Sequence, residues 1–549
     1  MKYIGPFFRM NSLSQYEVCG QLFHLSKEAI KILILNSKCG CTLSSRNSKK
    51  NPSTKDISIL SKFSPVLCLY KKSSPAFMHN KISHGFDSSS FKREINPTTN
   101  ALMTMSLLEL SDYYSYVDKK SDKDSLKNAY KYLAHEQLDF YYENLRNSEG
   151  IFVSKKSLFE NESKNNNLIE KDRKFSFSDQ AFMMNAYYLY SLHEEDNEVK
   201  EEYEEFSTQI LQMFLDYKEA LYNLSFEEGL KTLLAFNIFY GYSNNSEIIS
   251  LIIDLTDFLV SKFDEKDYYI NSLDLCSLFA ITLIYSYEHT NLVNVKEKYT
   301  EIINKLLSLY DEDNNIIQKL TDKKEIKYTS FDLCFYLISI ILFSNKTDSI
   351  RKYTPMISKI YKKYFLNSDL ITSWPDAPDL DNMERYKHFS MLSKDMIDET
   401  FFRMPNLPTL DNTGLSPIFI KNITYSKKKD MFTSSSSKSF DSYKNMFIFF
   451  MFIHVFKDTF FNELELQEPT FEFRSSDTNI NESSVISSNI SDNTTSDDTS
   501  ETNKEIAENT VVDKEVSTEE TVREVNSDTE TKTKEPIISD SSDMKDKND

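Results

Sequence analysis

The chain has 549 residues, 40% hydrophobic and 13% aromatic, with only 8 Gly and 13 Pro. That is enough apolar material for a large core and too few turn residues for a loop-rich all-β protein. The formal net charge of −20 is concentrated at one end: residues 465–549 hold 23 acidic and 8 basic side chains, so the rest of the chain is close to neutral. No cluster of Lys and Arg stands ready to neutralise phosphates, which argues against nucleic acid as a partner.

In chain order, the first residues lack a basic start followed by an apolar stretch, so no secretory signal is expected. Residues 1–98 are read as an N-terminal region. Ser12-Leu13-Ser14 is a helix-start signal, predicting a helix over 15–36. Short apolar runs at 57–60 and 65–70 fit strands, and mixed polar sequence at 73–98 fits a loop.

The body, residues 99–466, alternates apolar and amphipathic helices. Apolar helices are predicted at 100–116, 179–192, 227–242, 274–287, 332–343 and 442–456. Polar partners follow at 124–145, 199–217, 246–263, 293–310 and 349–365, and the sixth apolar helix has only a short partner ending at Leu466. Five of the apolar helices open on one signature: Ser176-Phe177-Ser178-Asp179, Ser225-Phe226-Glu227, Ser272-Leu273-Asp274, Ser330-Phe331-Asp332 and Ser439-Phe440-Asp441. A Ser oxygen satisfies a free amide of the first turn, and an acid there opposes the positive helix end. The starts recur about every fifty residues, the spacing of a repeated helical hairpin. The step from Ser330 to Ser439 is about twice as long, placing an insertion at 367–438. Beyond Phe473 no aromatic residue remains, and the acidic Ser/Thr-rich stretch 467–549 is predicted to be disordered.

The longest apolar runs fall well short of the roughly twenty residues of a membrane span, so a cytoplasmic protein without a transmembrane segment is expected. The six cysteines are read as reduced thiols, and Cys39-Gly-Cys41 lacks the spacing of a zinc site. No nucleotide-binding glycine pattern is present, and no metal or cofactor is expected.

The six repeated hairpins, with apolar inner and polar outer helices over roughly residues 100–466, resemble the (α/α)6 toroid of six-hairpin glycosidase-like proteins. The resemblance rests on pattern and period. It implies an all-α fold, an (α/α)6 toroid of six helical hairpins, to which the residues outside the repeats add a small irregular N-terminal region and a disordered acidic tail. It also implies a ligand site at one mouth of the ring and a carbohydrate-related activity, glycosidase-like if enzymatic. The signature acids would ring that mouth. A glycosidase needs two carboxyl groups, one protonated and one ionised. The catalytic candidates are therefore Asp179, Glu227, Asp332 and Asp376. The ligand-binding candidates are Trp374, Asp274, Asp379 and His388, the Trp as a stacking platform within Trp374-Pro375-Asp376-Ala377-Pro378-Asp379. The expected partner is a glycan. The rival reading is a non-enzymatic scaffold with an unknown protein partner, the acidic tail serving as its tether.

Overall fold

The computed structural model describes residues 13–43, 58–79, 84–117, 126–157, 168–172, 174–319, 324–375, 414–434 and 438–465. Twelve α-helices are found among these residues. The first six are α1 (Gln15–Leu35), α2 (Pro97–Val117), α3 (Leu126–Asn144), α4 (Phe177–His193), α5 (Asn197–Asp216) and α6 (Phe226–Ser243). They are followed by α7 (Glu247–Asp264), α8 (Leu273–Thr290), α9 (Val293–Ser308), α10 (Ser330–Lys346), α11 (Ile350–Ile360) and α12 (Ser442–Glu465).

The even-numbered helices pack in the order α2, α4, α6, α8, α10, α12 and back to α2, a closed ring. Each odd-numbered helix packs outside it. The sequence explains the division. In α10 every residue from Asp332 to Ser344 is buried, as a helix surrounded by neighbours requires. In α5 only Tyr203, Ser207, Leu211 and Phe214 are buried, one stripe at helical spacing with the charged residues facing out. The fold is an (α/α)6 toroid, as the hairpin period predicts.

The sixth hairpin is closed differently from the expectation. The outer partner of α12 is not a short segment following it but α1, from the other end of the described chain. Apolar side chains of α1, including Val18, Leu22, Phe23, Ile30 and Leu33, are fully or almost fully buried. Polar bonds fix its position. Gln15 donates to the Asn345 side chain at 2.6 Å and accepts from Ser344 Oγ at 2.7 Å, at the end of α10. Gln21 accepts from Tyr361 Oη at 2.7 Å, just beyond α11. A capping box between Ser14 and Glu17 starts the helix, as the Ser12-Leu13-Ser14 signal predicts.

Small sheets decorate the end of the ring where the inner helices begin. Glu325–Thr329 pairs antiparallel with Asn422–Ser426, which pairs with Met431–Ser434. The described part of the insertion thus lies against the entry to α10. β1 (Gly40–Thr42) follows α1 and pairs antiparallel with β2 (Val66–Leu69). Asp376, Asp379, His388 and the acidic tail lie outside the described residues. Among the described residues, no helix is long and apolar enough to cross a membrane.

Candidate functional site

The inner helices all start at one end of the ring, and their first turns show what the repeated signature does. Ser176 and Ser225 act as predicted, accepting from the amides of Asp179 and Glu228. Three starts differ. Ser272 makes no side-chain cap bond. The cap of α10 is Thr329, in a capping box with Asp332, so Ser330 already belongs to the helix. Helix α12 begins at Ser442, and the Asp441 side chain accepts from Lys444 N at 3.2 Å.

The acids three residues into α4, α6 and α10 reach beyond their own helices. Asp179 of α4 accepts from Thr98 N at 3.0 Å, in the first turn of α2. Glu228 of α6 accepts from Ser178 N at 2.9 Å and Ser176 Oγ at 2.7 Å, at the start of α4. Asp332 of α10 accepts from Asp274 N at 3.2 Å, in the first turn of α8. Each carboxylate therefore supplies an orphan amide of the preceding inner helix with an acceptor, and the first turns are linked around the rim.

A cavity of about 320 Å3 opens among the starts of α2, α4, α6 and α12, within the size range of small-molecule sites. Its lining includes Asp179, Glu228, Lys231, Tyr443 and Lys444 from the helix starts, with Lys71, Glu94 and Lys171 from the flanking segments. Glu94 is held down at about 2: burial works against ionisation, but Lys171, Lys92 and Lys71, at 3.1–3.2 Å, outweigh it. Asp179 behaves oppositely. Burial pushes its carboxyl up to about 6, against hydrogen bonds from Thr98 and Asn96 that favour the ionised form. Its hydrogen bonds to the described residues all fall on Oδ1. A proton is therefore held at mildly acid pH, below about 6, by a carboxyl lining a cavity, with Glu228 in the same lining.

The other sequence candidates are dispersed. Glu227 is exposed and pairs with Lys231 at 2.6 Å, outside the cavity lining. Asp274 and Asp332 form a separate group at the starts of α8 and α10, where Lys319 reaches Asp332 at 2.7 Å. Burial, and then the charge of Asp332, push the Asp274 carboxyl up to about 6. Trp374 is 6% exposed, packs edge-on against Tyr361 in the core and does not line the cavity. Glu228 was legible as the fourth residue of Ser225-Phe226-Glu227-Glu228, a capping-box spacing. Glu94, Lys71 and Lys171 carry no comparable sequence signal.

Below the cavity the axis is filled. Phe447 of α12 meets Phe182 of α4 at 6.0 Å and Phe335 of α10 at 5.5 Å, so three of the six inner helices converge on one ring. Lys231 of α6 lies 5.2 Å over Tyr443 of α12, across the ring. At the far end Tyr242 of α6 hydrogen-bonds Glu109 of α2, which His454 and Lys457 of α12 approach at 2.8 and 2.7 Å. The site is a basin at the rim, above the aromatic side chains that meet at Phe447.

No protein-family model and no curated protein matches the chain. Solved structures do. A GH76 α-mannanase of Bacteroides thetaiotaomicron matches at 10% identity and a TM-score of 0.35, covering 68% of this chain and 89% of that one. A cellobiose 2-epimerase of Spirochaeta thermophila matches at 9% identity and a TM-score of 0.43, covering 81% and 97%. A second cellobiose 2-epimerase, from Bacillus thermoamylovorans, matches at 11% and 0.40, covering 70% and 92%. All are proteins of the six-hairpin glycosidase-like (α/α)6 type. At such identities the chemistry of those enzymes remains their own.

The Asp179 carboxyl gives the site a pH signature. The folded value near 6 lies above the ordinary carboxyl value of about 3.9. Between these values the native state holds a proton that the unfolded chain has lost. The resulting stabilisation is complete below about pH 4 and is lost as pH rises through about 6. Relative to Asp179→Asn, the wild-type chain should lose up to about 3 kcal/mol between pH 4 and 7. Denaturant titrations of both proteins across that range check this; parallel curves would contradict the raised carboxyl.

Proposed function

We propose that the rim basin binds a carbohydrate, with Asp179 as its proton-bearing group and Glu228 as the fixed carboxylate beside it. One observation carries the reading: a cavity of small-molecule size combines a proton-holding carboxyl, a second carboxylate, lysines and hydroxyl groups at the positive ends of four inner helices. Sugar hydroxyls donate to carboxylates and accept from ammonium groups, so a mixed lining suits a polyhydroxylated ligand better than a strongly charged one. Tyr443 supplies the aromatic surface that the sequence assigned to Trp374. An acid and a carboxylate side by side are also the groups that acid-catalysed glycosyl chemistry uses.

The test is calorimetric titration of the full chain with glucose, mannose, cellobiose and glucuronate. Saturable binding to at least one is expected, weakened about tenfold or more in Asp179→Asn and in Lys231→Ala, with Glu227→Ala unaffected. The filled axis and the burial of Trp374 favour one second reading, a non-enzymatic scaffold. Absence of saturable binding by the whole panel would decide for it.

A further inference from the structure

Cys41 on β1 and Cys68 on β2 stand directly opposite each other in the antiparallel register. Both are free and buried, and their thiols hydrogen-bond one another. The strands approach closely here: a side chain at Gly40 would run into the carbonyl oxygen of Cys68. Directly paired antiparallel residues lie about 4.5–5.5 Å apart at Cα, within the span a disulfide bridges. Cys39, also buried, is hydrogen-bonded to the Ser73 side chain instead. Cys276 and Cys334 belong to α8 and α10.

The location gives the pair a consequence. β1 follows directly from α1, the helix that closes the ring. β2 is fastened to the body, with Leu69 N donating to Asn100 Oδ1 at 2.8 Å and Val66 O accepting from Gln137 Nε2 at 3.0 Å. A bond between the two strands would tie the end of α1 to segments held by α2 and α3.

We propose that Cys41 and Cys68 are a redox modification site, which a small-molecule disulfide such as oxidised glutathione converts to an intramolecular disulfide that fastens α1 to the ring. Cys41 is the attacking group. It is 6% exposed whereas Cys68 is fully buried, and hydrogen bonds from Cys68 and Tyr70 support its thiolate. The Cys41 thiolate attacks one sulfur of the oxidant, the oxidant's S–S bond breaks, and one glutathione thiolate leaves. Cys68 then gives up its proton, its sulfur attacks Cys41 Sγ, and the second glutathione thiolate leaves. The protein loses two protons and two electrons, and two molecules of reduced glutathione form.

The test treats the full-length protein with oxidised glutathione, both directly and during brief exposure to moderate urea that opens the strands. Expected are a mass loss of two hydrogens, a cross-linked peptide pair carrying Cys41 and Cys68, reversal by dithiothreitol, and a melting temperature raised by a few degrees. Cys39→Ser should form the same bridge. Cys68→Ser should stop at a glutathione adduct on Cys41. A chain that stays reduced under both conditions, or whose cross-link runs through Cys39, would overturn the proposal.

Discussion

Asp332→Ala is expected to cost about 3–5 kcal/mol of stability, the range for removing one partner of a buried ion pair. Asp332 is 2% exposed. Its carboxylate accepts from Thr329 N at 2.7 Å and Asp274 N at 3.2 Å, and pairs with Lys319 at 2.7 Å. The substitution leaves the cap amide of Thr329, the first-turn amide of Asp274 and a largely buried ammonium group without their acceptor. Asp332→Asn keeps the shape and part of the acceptor capacity, so its loss should be smaller. Glu227→Ala, at an exposed acid of the same signature whose one described ion pair is with Lys231, should cost about 1 kcal/mol or less. Urea unfolding of the three variants measures this. Equal, small losses at Asp332 and Glu227 would mean that the rim acids do not link neighbouring helices.

The second large effect concerns α1. A chain lacking residues 1–36 should show no cooperative thermal transition. Each large apolar side chain that α1 buries contributes roughly 1.5–3 kcal/mol, and five of them (Val18, Leu22, Phe23, Ile30 and Leu33) are 0–1% exposed. Their sum, before the further exposure of α12, is comparable with the whole net stability of an ordinary domain, about 5–15 kcal/mol. A truncated chain that melts like the full one would show that the ring closes without its N-terminal helix.

Much of the ring was legible because the signals are local. Alternation of apolar and amphipathic stretches identifies inner and outer helices, and Ser or Thr followed three residues later by an acid locates helix starts. Position within the first turn was the part most easily misread. Counting from Ser176, Ser225 and Thr329, the equivalent acids are Asp179, Glu228 and Asp332. Glu227 lies one residue earlier and is turned outward by the helical phase, towards Lys231. Asp274, two residues after Ser272, offers its neighbour an amide rather than a carboxylate. That these acids cap the preceding inner helix could not be read locally, because the partner lies about fifty or more residues away. The pairing of α1 with α12 was hidden for the same reason, since the two lie at opposite ends of the ring's sequence. Trp374 shows the limit of composition: a single Trp beside acids suits a sugar platform, but here its ring packs into the core against Tyr361. Lys71, Glu94 and Lys171 reach the basin from segments outside the repeats, where no period points to them.

Hydrogen–deuterium exchange of the full chain, with and without whichever member of the sugar panel binds most tightly, tests the functional account most directly. Bound carbohydrate should slow exchange in segments 94–99, 176–180, 228–232 and 441–445, which meet at the basin, and leave the segment around Trp374 unchanged. Protection confined to the outer helices, or to the segment around Trp374, would contradict a carbohydrate site at the rim.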